Sequence, residues 1–149
     1  MSIGIDVGYS WYQIGRSDYF DSFFSTVAYY LENKKWGSVY PVIMNQMYTG
    51  DLSPEYVDKA IEELIDIKNK FSKLTKNGHP IIWDARDLSV ETPEWAINPN
   101  EEVTTLSNYY IISDGRDLIE ILITALRKSK DMNKNLIIKS LDSESTIYS

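Results

Sequence analysis

Residues 3–31 read IGIDVGYSWYQIGRSDYFDSFFSTVAYYL, and two hydrophobic periods succeed one another within them. Ile3–Val7 alternates apolar with small or polar residues, the two-residue period of a strand, and after the turn composition of Gly8–Ser10 a short second strand fits Trp11–Ile14. From Ser17 or Asp18, both good N-cap types, the period becomes that of a helix running to about Leu31. Phe20, Phe23, Phe24, Val27, Tyr30 and Leu31 then share an arc of about 120°. Asp18, Asp21, Ser22, Ser25 and Glu32 take the polar side, and Tyr29 falls in the middle of it, the one aromatic of this helix that the core pattern does not claim. An exposed tyrosine suits an interface anchor, or it packs against a neighbouring loop. Two adjacent strands followed by a helix predict an α+β fold, with a small mixed or antiparallel sheet of four to five strands and about four helices.

Outward from this stretch, WGSVYPVIMNQMYTG (36–50) reads as a short helix, with Pro41 at its first turn and Gly50 as its stop. Ser53-Pro54-Glu55 is a strong start signal for a long helix to about Leu74, whose Val57, Ala60, Ile61, Leu64, Ile67, Phe71 and Leu74 keep helical spacing. Glu55 with Lys59 and Asp66 with Lys70 form i,i+4 pairs on its wet face. Asn77-Gly78 breaks it. Ile81–Trp83 reads as a short buried strand, and residues 89–107, with Pro93, Pro99 and Trp95, keep no period. So long a connection is uncommon in a small domain unless it is functional or mobile. Asn108–Ile112 reads as a strand, Asp114 as the N-cap of a helix over 115–130, and Leu136–Lys139 as a last strand. One domain, 1–141, with a polar tail, 142–149, is the expected organisation.

Composition removes whole classes of function. The chain has no cysteine and one histidine, His79, so disulfides, thiol nucleophiles, thiolate metal sites and multi-histidine zinc sites are excluded. The N-terminus has neither a basic n-region nor an apolar h-region, and no apolar run approaches the ~20 residues that span a bilayer, so a cytoplasmic protein with no membrane partner is expected. The net charge is −7, and residues 79–120 alone carry nine acids and two bases. Confining the excess to one segment argues against nucleic acid as a partner and for a basic protein, or it solvates a loop.

No catalytic constellation stands out. His79 sits between Gly78 and Pro80 with no matching serine elbow, and no glycine pattern cradles a phosphate. Asp6, Asp84, Asp87 and Asp114 lie in or just after predicted strands, where they would converge in a carboxylate-based, metal-dependent hydrolase, although aspartate in that position more often caps a turn. A structural, self-assembling role is a third reading. No cofactor and no metal are expected.

Three blocks carry a family likeness: GYSWYQIGRSDYFDSFF (8–24), WGSVYPVIMNQMYTGDLS (36–53) and LSNYYIISDGRDL (106–118). Together they resemble the bacterial immunity protein 70 family of polymorphic toxin systems, from Met1 to about Leu126 and most densely before Ser53. The resemblance implies a small α+β protein, made beside a secreted toxin, often a nuclease, that it binds and neutralises in the producing cell. The expectation is a non-enzymatic, toxin-neutralising immunity protein of unassigned oligomeric state. Asp84, Asp87, Glu91, Glu94, Glu101 and Glu102 would face basic toxin groups, with Trp95 and Tyr29 as aromatic anchors. Trp95 otherwise pins the long loop to the core, and Trp11, Trp36 and Trp83 belong to the core or its edge.

Overall fold

The N-terminal hairpin closes on a two-residue turn. Strands β1 (Ser2–Val7) and β2 (Ser10–Arg16) pair antiparallel from Val7↔Ser10 to Ser2↔Arg16. Gly8 takes the first central position of the turn at φ 57°, the left-handed conformation that the twist of a tight hairpin selects. The register slips between Ile3 and Gly4. Gly15, at φ 128°, absorbs the extra residue, so that Ile3 and Ile14 both stay buried. These and all later statements come from a computed structural model that describes residues 2–97, 103–112 and 114–140.

On its other side β1 pairs antiparallel with β4 (Leu136–Ser140), Ile5 opposite Ile138, and β4 carries a short outer strand β3 (Asp51–Leu52). The order is β2-β1-β4-β3, an antiparallel sheet. With its helices it makes the α+β architecture expected from the sequence. Ile3, Ile5 and Val7 face a core shared with three long helices, α1 (Ser17–Leu31), α2 (Val57–Phe71) and α3 (Leu118–Met132). Phe23, Phe24, Phe71, Leu64 and Ile67 are among its fully buried members. On the opposite face, Trp11 lies flat across Gly4, where a Cβ would collide with the indole ring. Trp11 is therefore 42% exposed, not a core residue, whereas Trp36 and Trp83 pack partly buried against the core.

Several local expectations are corrected. Ile81–Trp83 forms no ladder: Thr26 Oγ1 accepts from Ile82 N (3.0 Å) and donates to Ile82 O (3.3 Å), so one α1 hydroxyl replaces a neighbouring strand. Asn108–Ile112 is no strand either. Thr105 caps a 3-10 turn, Leu106–Asn108, by accepting from Ser107 N, while Asn108 Oδ1 accepts from Thr105 N. The helix expected at 36–50 is a π-helical segment, Val42–Met47, in which Tyr48 N reaches back to Ile43 O at 3.1 Å. Ser53 leads into a 3-10 turn, Pro54–Tyr56, ahead of α2, and its hydroxyl caps nothing. Of the two α2 pairs, Asp66–Lys70 forms at 3.0 Å and Glu55–Lys59 does not. Asp114 holds a turn through Arg116 N, and the helix begins later, at Leu118. The last nine residues, with the expected tail, lie outside the described ones.

The largest correction concerns the polar side of α1. Of the residues assigned to it, Ser22, Ser25 and Glu32 are buried, as is the neighbouring Thr26, while Asp18 and Asp21 are half-buried. Tyr110 inserts there, its hydroxyl within hydrogen-bond reach of Ser22 Oγ (3.1 Å) and Thr26 Oγ1 (2.9 Å), so α1 is covered on both sides. Burial pushes the Tyr110 hydroxyl pKa far up, which keeps it a neutral donor. Glu32 ends the helix and turns inward, accepting from Gly37 N (2.9 Å), Val39 N (3.0 Å) and Tyr40 N (2.9 Å). From α2, Glu63 reaches the start of the π-helical segment and accepts from Ile43 N (2.8 Å) and Val42 N (3.3 Å). Two buried carboxylates thus satisfy the backbone of residues 37–43, which no strand partners.

Candidate functional site

The stretch from Ile81 to Ile97 runs over α1 and is tied down by side chains. Tyr30 donates to Pro80 O (2.7 Å), Thr26 holds Ile82, and Tyr109 donates to Ala96 O. Arg86 is the central brace: it bonds Tyr48 Oη (3.1 Å), Asp21 Oδ2 (3.3 Å) and Asp84 Oδ1 (3.2 Å), with its guanidinium 5.9 Å from the Trp36 ring centre. Asp21 in turn accepts from Tyr48 at 2.6 Å. This small network joins α1, the π-helical segment and the stretch after Trp83.

These ties sort the acids. Asp84 is neutralised: it accepts from both the backbone N and the side chain of Arg86, and those bonds hold its pKa below the usual carboxylate value. Asp87 is exposed and turned onto its own loop, accepting from Ser89 N (3.1 Å) and Ser89 Oγ (2.6 Å). Farther along, Asp114 pairs with Arg116 (2.7 Å), and Glu120 (2.6 Å) and Asp117 (3.8 Å) with Lys68. Glu91 and Glu94 are exposed, and no described residue forms an ion pair or side-chain hydrogen bond with either. Glu101 and Glu102 lie outside the described residues. The uncompensated negative charge of the described acidic segment therefore sits at Asp87, Glu91 and Glu94.

Two grooves lie along this stretch, and Glu91 lines one of them. One, of about 510 Å³, brings Tyr29, Asp84 and Glu91 together with Trp83, Leu88 and Val90, although Tyr29 is more than fifty residues from the others in sequence. Tyr29 is half-buried, edge-on to Tyr30 at 4.9 Å, with Lys34 Nζ 4.8 Å from its ring centre. The other, of about 490 Å³, has Trp95 on its wall, with Arg16, Tyr19, Ile97 and Ile111. Ile97 lines both. Trp95 is 53% exposed and meets Trp83 edge-on at 5.7 Å, so it touches the loop's packing while keeping half its surface in water. Sequence reading missed Arg16, Leu88, Val90, Ile97 and Ile111. For Leu88, Val90 and Ile97 the visible signal was an apolar residue standing in a polar stretch without a period, where it is exposed, whereas Arg16 and Ile111 carried no such signal.

The carboxylates of the hydrolase reading do not converge. Asp6 pairs with Lys139 at 2.8 Å on the sheet, and Asp84, Asp87 and Asp114 each serve their own turn. Among the described residues no group of three or more acidic or histidine side chains could hold a metal ion, and no helix is long and apolar enough to cross a membrane. No curated protein and no solved structure gives a significant match to the chain. Residues 5–138 match the family described as immunity protein 70, which extends the likeness seen in the three sequence blocks through α3 into β4. The chain belongs to the immunity protein 70 family.

Proposed function

We propose that this protein neutralises a cognate toxin domain by binding it and occluding its working surface, without chemistry of its own. The observation that carries this reading is family membership across residues 5–138. The unpaired Glu91 and Glu94 beside exposed Trp95 support it. The toxin is read as a nuclease, because a domain that grips polyanionic phosphate must present Lys and Arg. Such a surface is attracted by Asp87, Glu91, Glu94, Glu101 and Glu102, and a field of that sign accelerates association before any contact forms. Asp84, held by Arg86, shapes the loop more than it attracts. Trp95 and Tyr29 supply apolar contact, and the proposed place of action is the cytoplasm of the producing cell.

The test is co-expression with the toxin domain encoded beside this gene, followed by binding kinetics on the purified pair. The wild-type chain rescues growth. Charge reversal of Glu91, Glu94, Glu101 and Glu102 to Lys slows association by about tenfold or more at low salt and flattens its salt dependence, with the melting temperature retained. Undiminished association in that variant rules out the acidic face. Absence of rescue by the wild-type chain rules out neutralisation of that toxin.

A further inference from the structure

Trp95 is exposed, yet the fold has already ordered it. The Arg16 guanidinium lies over the indole ring, 4.3 Å from its centroid, Tyr19 tilts against it at 6.3 Å, and Trp83 meets it edge-on. Arg16 is itself fixed by two bonds to Asp18, Nε to Oδ1 at 3.0 Å and Nη2 to Oδ2 at 2.8 Å, so its charge is compensated within the chain. An aromatic ring held by its neighbours and still in water loses little further freedom when a partner covers it, which is the property of an interface hot spot. Beside it Ile97 and Ile111 are 56% and 37% exposed. Together they wall a groove of about 490 Å³; Glu94 immediately precedes Trp95 in the chain, and Glu91 lines the adjoining groove, which shares Ile97 with this one.

We propose that Trp95 is the preformed anchor of a docking groove whose occupant is a basic protein segment, inserting an apolar side chain between Trp95, Ile97 and Ile111 while its flanking Lys or Arg side chains face Glu94 and Glu91. This deepens the toxin-binding reading and rests on it for the partner's identity. Apolar walls select the inserted side chain, and the rim charge selects its neighbours. Because Arg16 already covers the indole ring, the partner contributes an apolar group there and not a second stacked cation.

Two probes test this on the full chain. The first is a pair of capped peptides, Ac-Lys-Leu-Lys-NH2 and Ac-Glu-Leu-Glu-NH2, titrated to millimolar concentration while the indole N–H resonances are followed by NMR. Trp11, exposed on the outer sheet face, is the internal control. The lysine peptide is expected to move the Trp95 resonance and leave that of Trp11 in place, and the glutamate peptide to move neither. Equal shifts at both tryptophans, or with both peptides, overturn the proposal. So does a Trp95 resonance that moves with protein concentration alone, which would assign the groove to a second copy of the chain. The second probe is the inactivated toxin domain of the adjacent reading frame. Trp95→Ala is expected to weaken its binding by about 30-fold or more, chiefly through faster dissociation, with Ile97→Ser acting in the same direction and Trp95→Phe retaining most affinity. Equal binding by wild type, Trp95→Ala and Ile97→Ser overturns the anchor and leaves neutralisation standing. Failure of wild type to bind that domain, with the lysine peptide still moving Trp95, removes the toxin and leaves the groove.

Discussion

Glu63 is a carboxylate placed where an apolar side chain would be expected, on the buried face of α2, because the backbone N–H groups of Val42 and Ile43 need acceptors there. Removing it from water penalises the charged form more than those two bonds favour it, and Glu32 adds like charge nearby, so its pKa lies above the ordinary glutamate value of 4.5. Lys59 is the cation that partly offsets this. The folded chain thus binds the Glu63 proton more tightly than the unfolded chain does. The stability this group contributes is fully present below about pH 4.5 and is lost as pH rises through its folded pKa. Measured by urea denaturation between pH 4 and pH 8, the stability of wild type relative to Glu63→Gln is expected to decline across that window and then level off. A difference independent of pH would show that the backbone donors, not burial, govern the carboxylate. Glu32 obeys the same logic of acceptor supply with three donors in place of two.

At the scale of elements, the hairpin shows how closely a glycine and an aromatic can be matched. Gly4 pairs with Gln13 and Trp11 with Asp6, yet the Trp11 ring crosses diagonally to lie on Gly4, filling the space a side chain would need. Gly4→Val is expected to evict the ring: Trp11 emission shifts to longer wavelength, acrylamide quenching rises, and stability falls by about 1–3 kcal/mol. Unchanged emission would mean that the ring does not rest there. β1, α1, α2 and β4 were legible because each keeps its own period, whereas β2 carries the extra residue of the bulge and the nearly continuous apolar run of α3 reads as a helix only through its start signal. β3 was not legible, since two residues hold no period and exist as a strand only because β4 offers a ladder at Asp51↔Ile137. Ile81–Trp83 misled for the converse reason: its apolar run is core-facing, but Thr26 supplies the bonds a strand would have made. The polar side of α1 misled because Ser22 is polar for Tyr110 and Glu32 for the backbone of residues 37–40, not for water. For the candidate surface, the acids could be counted from the sequence, whereas their neutralisation could not. Only the fold brings Arg86 against Asp21 and Tyr48, leaving Asp84 quiet and Glu91 and Glu94 unanswered.

For the molecule as a whole, the decisive contact is the pairing of the first strand with the last described one. β1 and β4 meet along Ile3↔Ser140 to Val7↔Leu136, so the sheet cannot be completed until α1, α2 and α3 have been laid down between them. Unfolding that releases β4 exposes the inner face of the sheet and the helices together. We therefore expect urea unfolding followed by tryptophan emission and by far-UV circular dichroism to give coincident midpoints, as one cooperative unit requires. Two separated midpoints would divide the chain into independent units. The stretch from Ile81 to Ile97 stands apart from this long-range closure. It is fastened through the Thr26 hydroxyl, two tyrosine-to-carbonyl bonds, Tyr30 to Pro80 at its start and Tyr109 to Ala96 near its end, and the Arg86 brace, and contributes no rung to any ladder. Its outward residues are therefore free to change identity without shifting strand register or opening the core. A scaffold of this design can be re-addressed: new recognition chemistry can be written on the strap by changing its outward residues between Asp87 and Trp95, while the Arg86 brace and the sheet beneath keep their contacts.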